Sequence, residues 1–157
     1  MPGLDHSIVE HRLLIKPGFH PYAQPPRKFS PSIQGEIKDE IQRMTEAGFI
    51  QPCRYATWIS NIVPVRKKNG QLRVCIDFRD LNRAKPKDEY PMPVADLLVD
   101  TVAGHKMMSF LDGNARYNQI LMAEGDIFKT AFRCPDNIGL FEWIVMTFGL
   151  KNVGATY

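Results

Sequence analysis

The 157-residue chain reads as an α+β fold, and three features of the sequence say so. Ile33, Ile37, Ile41, Met44 and Ala47 recur at helical spacing ahead of a glycine stop at Gly48. Two β-prone runs, 61–68 and 71–77, flank Asn69-Gly70, the strongest short-range hairpin pattern there is. Further strand-like runs follow at 106–112, 128–133 and 139–146.

In chain order, residues 17–31 hold five prolines (Pro17, Pro21, Pro25, Pro26, Pro31), which predicts that this stretch is extended and not a packed element; the proline-rich arm is taken as 1–29. Ser30 is placed as N-cap with Pro31 in the first helical turn. Glu36, Lys38, Asp39, Glu40, Arg43 and Glu46 fall between the apolar positions and give that helix a water-facing side. Pro64 demotes the first hairpin run to an edge strand or a bulge. Residues 93–103 read as a short helix ending at Gly104, and 106–112 as a strand whose apolar run ends in Asp112. No internal repeat or low-complexity segment is visible.

Composition narrows the class. The length suits about one domain, able to bury roughly two-thirds of its unfolded surface without disulfide or metal staples. No apolar run approaches the roughly 20 residues that span a bilayer, so no membrane partner is expected. The first residues lack the basic region and apolar stretch of a signal peptide. Three widely spaced cysteines (Cys53, Cys75, Cys134) without a CxxC pair suggest reduced thiols and an intracellular setting. The four histidines form no metal signature; His6 and His11 read as exposed residues of the arm.

The formal charge of +3 is unevenly distributed. Arg66, Lys67, Lys68, Arg73, Arg79, Arg83, Lys85 and Lys87 face only Asp77 and Asp80, so 66–87 carry +6 and the remainder −3. Such concentration around a solvent-projecting hairpin points to a polyphosphate partner, either nucleic acid or nucleotide. Arg73 and Lys67 could grip phosphate oxygens, Arg as a planar fork and Lys as a point charge; cross-strand solubility is the bland alternative. Asp112 could be aimed at a metal from a strand end, or could simply serve the turn before Gly113-Asn114.

Other patterns are decoys. Gly149-Leu-Lys-Asn-Val-Gly154 has phosphate-loop glycine spacing, but Ala155 stands where lysine is needed. Asp100-Thr101-Val102-Ala103 lacks the glycine of an aspartic-protease loop, and Asp96 with Asp100 reads as a solvated face. Met92, Met107, Met108, Met122 and Met146 read as core filler.

The run from Trp58 to Asn82 (WISNIVPVRKKNGQLRVCIDFRDLN) resembles the fingers of reverse transcriptases from gypsy-class LTR retrotransposons, especially plant ones. Ala47-Gly-Phe-Ile50, Asp88-Glu-Tyr-Pro-Met-Pro93, Phe110-Leu-Asp-Gly-Asn-Ala-Arg-Tyr-Asn-Gln-Ile120 and Thr147-Phe-Gly-Leu-Lys-Asn-Val-Gly-Ala-Thr-Tyr157 match in the same order, covering essentially 20–157. The resemblance implies fingers at 30–88 and 120–147, interleaved with the opening of a palm at 89–119 and 148–157. It implies that Asp112 binds both catalytic magnesium ions, with the Gly113 carbonyl as a further ligand. Lys67 and Arg73 would hold the incoming deoxynucleoside triphosphate, Ala115, Arg116, Tyr117 and Phe148 would form its pocket, and Tyr117 would reject a 2′-hydroxyl. Asp77 and Phe78 would lie near the templating base. The implied partners are an RNA or DNA template with primer and the rest of a pol polyprotein, in the cytoplasm or in particles.

Two departures from that pattern bear on activity. Arg116 stands where the family has glycine or another small residue before the gate tyrosine. No Asp-Asp pair occurs in the 157 residues, so the aromatic-x-Asp-Asp turn that supplies the other catalytic carboxylates is absent. Thr147 and Gly154, where the family has proline, are milder changes. The expectation is the N-terminal part of an RNA-directed DNA polymerase, inactive by itself. A non-catalytic nucleic-acid-binding fragment and a degenerate transposon remnant stay open beside it.

Overall fold

The computed structural model of the chain describes residues 4–91, 93–109, 116–135 and 138–157. Its strands are β1 (Glu10–His11), β2 (Ile50–Cys53), β3 (Ser60–Arg66), β4 (Leu72–Ile76), β5 (Leu121–Met122), β6 (Phe132–Arg133) and β7 (Leu140–Trp143). Its helices are α1 (Pro31–Glu46), α2 (Arg79–Ala84), α3 (Ala95–Val102) and α4 (Val153–Thr156), with 3₁₀ segments at Arg116–Gln119 and Glu124–Thr130. Helices and strands are mixed, as the sequence predicts. Five strands form one sheet in the order β2-β7-β6-β3-β4, and β1 pairs with β5 in a second.

The first helix forms for the reasons its sequence gives. Ile37, Ile41 and Met44 are buried on one face, which packs mainly against β4. The helix ends in a double bond pattern: Gly48 N–H donates to Thr45 O and Phe49 N–H to Met44 O, both at 3.0 Å. Gly48 adopts φ +72, the left-handed conformation this ending demands. Ser30 does occupy the N-cap position but makes no capping bond to a helix N–H; its hydroxyl instead bonds the side chain of Ser32 at 3.2 Å.

The hairpin also forms as predicted. Lys67 N–H donates to Gln71 O at 2.9 Å, leaving a three-residue loop closed by Gly70 at φ +82. Pro64 lies opposite Val74 of β4. On the other side of β3, β6 pairs only with Ser60 and Asn61, so the strand is internal at its start and an edge at Pro64. A residue without an N–H is tolerated there.

Several expectations need correction. The proline-rich stretch is extended and mostly exposed, meeting the body through the Ala23–Ile59 bridge and the buried Gln24, but the residues before it are packed: Leu13 and His11 are buried and β1 joins β5. His11 is therefore no exposed arm residue. The extended conformation expected of a proline-rich stretch is what lets it add strand-like bonds to the body. Residues 106–109 form no strand; 110–112, the rest of that expected element, lie outside the described residues. Within 128–133 only β6 is strand, because Thr130 turns its hydroxyl to the backbone, accepting from Trp143 N–H at 2.8 Å and donating to Ile127 O at 2.6 Å. The run at 139–146 is strand only at β7, followed by a lone bridge from Val145 to Leu121. Met122 and Met146 are core, but Met107 and Met108 are exposed; Met92 lies outside the described residues. Helix α3 forms within the expected stretch, ending at Val102 with Gly104 at φ +85 just beyond its cap, and buries none of its residues.

Residues far apart in sequence are joined by a reciprocal polar seam. Asn82 Nδ2 donates to Gly149 O at 2.6 Å while Lys151 N–H donates to Asn82 Oδ1 at 2.7 Å. Asn152 mirrors this, giving Nδ2–H to Pro86 O and accepting Asp88 N–H, both at 3.0 Å. Lys85 Nζ donates to Lys151 O at 2.7 Å, and Lys151 Nζ to Lys85 O at 2.9 Å. Asn152 takes a left-handed φ of 69, which asparagine tolerates better than most side chains. Replacing Asn82 with alanine removes two of these bonds and strands their backbone partners, so urea unfolding should show a loss of about 1–3 kcal/mol. A loss within about 0.5 kcal/mol would show that the seam is dispensable.

Candidate functional site

Three residues singled out by sequence for nucleotide contact come from separate elements and meet in space. Arg73 projects from β4, Tyr117 from the 3₁₀ turn Arg116–Gln119, and Phe148 from the segment before α4. The Arg73 guanidinium carbon lies 4.8 Å from the centre of the Phe148 ring, a cation–π contact. The Tyr117 ring meets Phe148 edge-on at 4.8 Å and Tyr157 edge-on at 5.7 Å. Arg73 and Phe148 remain exposed, while Tyr117 is half-buried. A fixed cation thus stands over an accessible aromatic surface, a combination suited to phosphate beside a sugar or base.

Lys67 lies at the exposed tip of the same hairpin, opposite Gln71, and makes no ion pair with another described residue. Its neighbours in the basic segment are differently disposed. Arg66 is committed to Glu36 of α1, with N–O distances of 2.6 and 3.1 Å. Lys85, counted among the solvent-facing charges by the sequence reading, is buried with only 1% of its surface exposed. The +6 segment is therefore not one surface patch. Lys67, Lys68 and Arg73 are the exposed hairpin cations that make no ion pair with a described residue.

Asp77 and Phe78 belong to a second locality. Phe78 is 2% exposed and packs in the core. Asp77 is buried, and its carboxylate receives a two-point clasp from Arg79, Nε to Oδ1 and Nη2 to Oδ2, both at 2.7 Å. Arg27 adds a third bond to Oδ2 at 2.9 Å. Hydrogen bonding from Arg79 holds the carboxyl below its ordinary 3.8 against the opposing effect of burial, and the Arg27 charge adds to it. The two arginines line a cleft of about 620 Å³ together with Phe19, Tyr22 and Trp58. Gln24 fixes the arm along this cleft, donating to Asp77 O at 3.0 Å and Asp80 Oδ2 at 2.8 Å and accepting from Asn61 N–H at 2.8 Å. Sequence reasoning counted Arg79 only as one charge of the basic segment and Trp58 only as the start of a matched run, and it missed Arg27, Phe19 and Tyr22. Arg79 could have been found from its i,i+2 relation to Asp77, but nothing local connects Arg27 to a carboxylate fifty residues away.

Asp112, Gly113 and Ala115 lie outside the described residues, as does the side chain of Arg116. Among the described residues no group of three or more His, Cys, Asp or Glu side chains could hold a metal ion. Nor is any described helix long and apolar enough to cross a membrane.

Residues 65–157 match the family model described as reverse transcriptase (RNA-dependent DNA polymerase). The Transposon Tf2-3 polyprotein of Schizosaccharomyces pombe is 32% identical over 136 residues, which is 87% of this chain and 10% of that protein. The Transposon Tf2-7 polyprotein of the same yeast is 33% identical over the same shares. The chain thus spans about a tenth of the length of these curated relatives. In structure it is similar to the prototype foamy virus protease–reverse transcriptase, with a TM-score of 0.70 and 19% identity, covering 87% of this chain and 18% of that one.

The Asp77 cluster sets a pH dependence. A carboxyl depressed in the folded state contributes stability above its unfolded pKa of about 3.9 and loses it as pH falls through the folded value. Asp77→Asn should therefore cost about 1–3 kcal/mol at pH 7, and the gap from the unsubstituted chain should shrink as pH drops below about 4. Chemical denaturation at pH 7 and pH 3 measures both; a gap that stays constant with pH contradicts the assignment.

Proposed function

Because the chain belongs to the reverse transcriptase (RNA-dependent DNA polymerase) family, we propose that it is the nucleotide- and template-engaging part of a retrotransposon polymerase of the gypsy class. The observation that carries this reading is the convergence of Arg73, Tyr117 and Phe148, drawn from three elements onto one accessible surface. In the proposed arrangement 30–88 and 120–147 act as fingers, and 89–119 with 148–157 begin the palm. The substrates would be deoxynucleoside triphosphates and a primer–template, and the rest of the polyprotein would complete the enzyme.

Each residue has a physical task in that reading. Lys67 approaches the triphosphate as a mobile point charge, and Arg73 as a planar fork kept extended by the Phe148 ring. Tyr117 presents a ring edge fixed by Phe148 and Tyr157, a rigid wall that would crowd a sugar bearing a 2′-hydroxyl. Ala115 and Arg116 would flank that wall. Asp112 and the Gly113 carbonyl are the proposed ligands of magnesium, whose role when bound is to neutralise charge spreading over the transferring phosphate. Asp77 acts on a template by holding Arg27 and Arg79 toward the cleft, and Phe78 by filling the core beneath them.

These 157 residues contain no Asp-Asp pair, so we expect primer binding without polymerisation. Primer–template affinity should fall steeply with salt, and Lys67→Ala or Arg73→Ala should each lower the slope of log K against log salt by about 1. Binding that ignores salt would overturn the reading. Primer extension by the chain should give no incorporation; extension abolished by Asp112→Asn would restore a catalytic role to these residues alone.

A further inference from the structure

The N-terminal segment closes around the turn that carries Tyr117. Leu4 N–H donates to Gln119 O at 2.7 Å, at the end of that turn. Strand β1 pairs in parallel with β5, which follows the turn directly, in the register Glu10 to Leu121 and His11 to Met122. Ala123 N–H returns a bond to His11 O at 2.9 Å. The main chain before Tyr117 is thus not its only support.

The side chain of His11, 1% exposed, ties this segment to α4. Its Nδ1 lies 2.8 Å from Thr156 Oγ1, and its Nε2 lies 3.3 Å from Lys85 Nζ. Lys85 carries only donors, so Nε2 must accept and Nδ1 must hold the proton. A single run of donors follows: Lys85 Nζ to His11, His11 Nδ1–H to Thr156, and Thr156 Oγ1 to Asn152 O at 3.3 Å. The residue after Thr156 is Tyr157, whose ring is the second edge contact of Tyr117.

We infer that His11 is a positioning residue: through Thr156 it fixes the turn of α4 that holds Tyr157 against Tyr117, so the N-terminal segment sets the geometry of the nucleotide wall. This rests on the proposed role of Tyr117 for its functional meaning, though not for its geometry. Only neutral His11 can act in this way, since a proton on Nε2 would place a donor against the Lys85 ammonium. Two charges act on it: Lys85 from the polar seam and Asp126 from the second 3₁₀ segment, while β5 brings no charge. Lys151 and Lys129 act on Lys85 in turn. Burial first, and then the Lys85 charge, push the imidazole down to about 4, with Asp126 opposing.

The test reads ring contacts in the full chain by NMR. The unsubstituted protein should show cross-relaxation between the Tyr117 and Tyr157 rings, and a His11 ring that titrates near pH 4. Thr156→Val, a near-isosteric change at a half-buried site, should lose the Tyr117–Tyr157 contact while keeping Tyr117–Phe148. His11→Phe should do the same, and His11→Asn, which retains a donor near the Nδ1 position, should restore the contact. If Thr156→Val keeps the ring contact, or His11 titrates near 6.5, the inference fails. The affinity ratio for dTTP over UTP is read on the same samples. A lost ring contact with no nucleotide binding in any sample upholds the positioning role and sinks the nucleotide reading instead.

Discussion

The seam between residues 82–88 and 149–152 is the constraint on which the rest of the molecule depends. It joins the far end of the hairpin unit to the segment that carries Phe148 and α4. Each side presents one asparagine and one lysine to the backbone of the other. Backbone groups that would otherwise be orphaned in loops are paired in this way, at a cost of order 1–3 kcal/mol for each left unmade. Because the bonds are reciprocal, neither loop can shift without breaking bonds made by both. The position of Phe148 relative to Arg73 follows from this, since β4 and α2 are held to one side of the seam and Phe148 to the other.

Burial of Lys85 is the price of that arrangement. An ammonium with 1% of its surface exposed is pushed down to about 8 by burial, and its donors are met by Lys151 O and His11 Nε2. Placing a lysine there requires a neutral imidazole beside it, and a neutral imidazole requires an acceptor for its other nitrogen's proton. Thr156 supplies that acceptor. One buried charge thereby specifies the tautomer of a histidine 74 residues away and the seat of a helix 145 residues from that histidine.

What the sequence made legible divides along the same line. Helix α1 and the β3–β4 hairpin were readable because their determinants are local: an apolar period with a glycine ending, and a glycine-closed turn between β-prone runs. The resemblance added the grouping of Arg73, Tyr117 and Phe148, which no spacing rule could supply. The proline-rich stretch was legible as extended, because proline content reports on backbone conformation, but nothing local marked the residues before it as buried. His11, Lys85 and Arg27 were misread or missed because their partners lie far along the chain. A charge count along 66–87 cannot tell a lysine aimed at solvent from one turned inward onto a histidine and a backbone carbonyl.

Strand β6 has a mechanical consequence. It is two residues long, yet it alone connects the β2–β7 pair to the β3–β4 hairpin within the five-stranded sheet. So few rungs leave the root of the hairpin dependent on bonds from outside the sheet. The proline-rich stretch supplies them: Asn61 N–H donates to Gln24 Oε1 and Asn61 Nδ2 to Pro25 O, both at 2.8 Å. A segment that belongs to no strand thus serves as the clasp between the two halves.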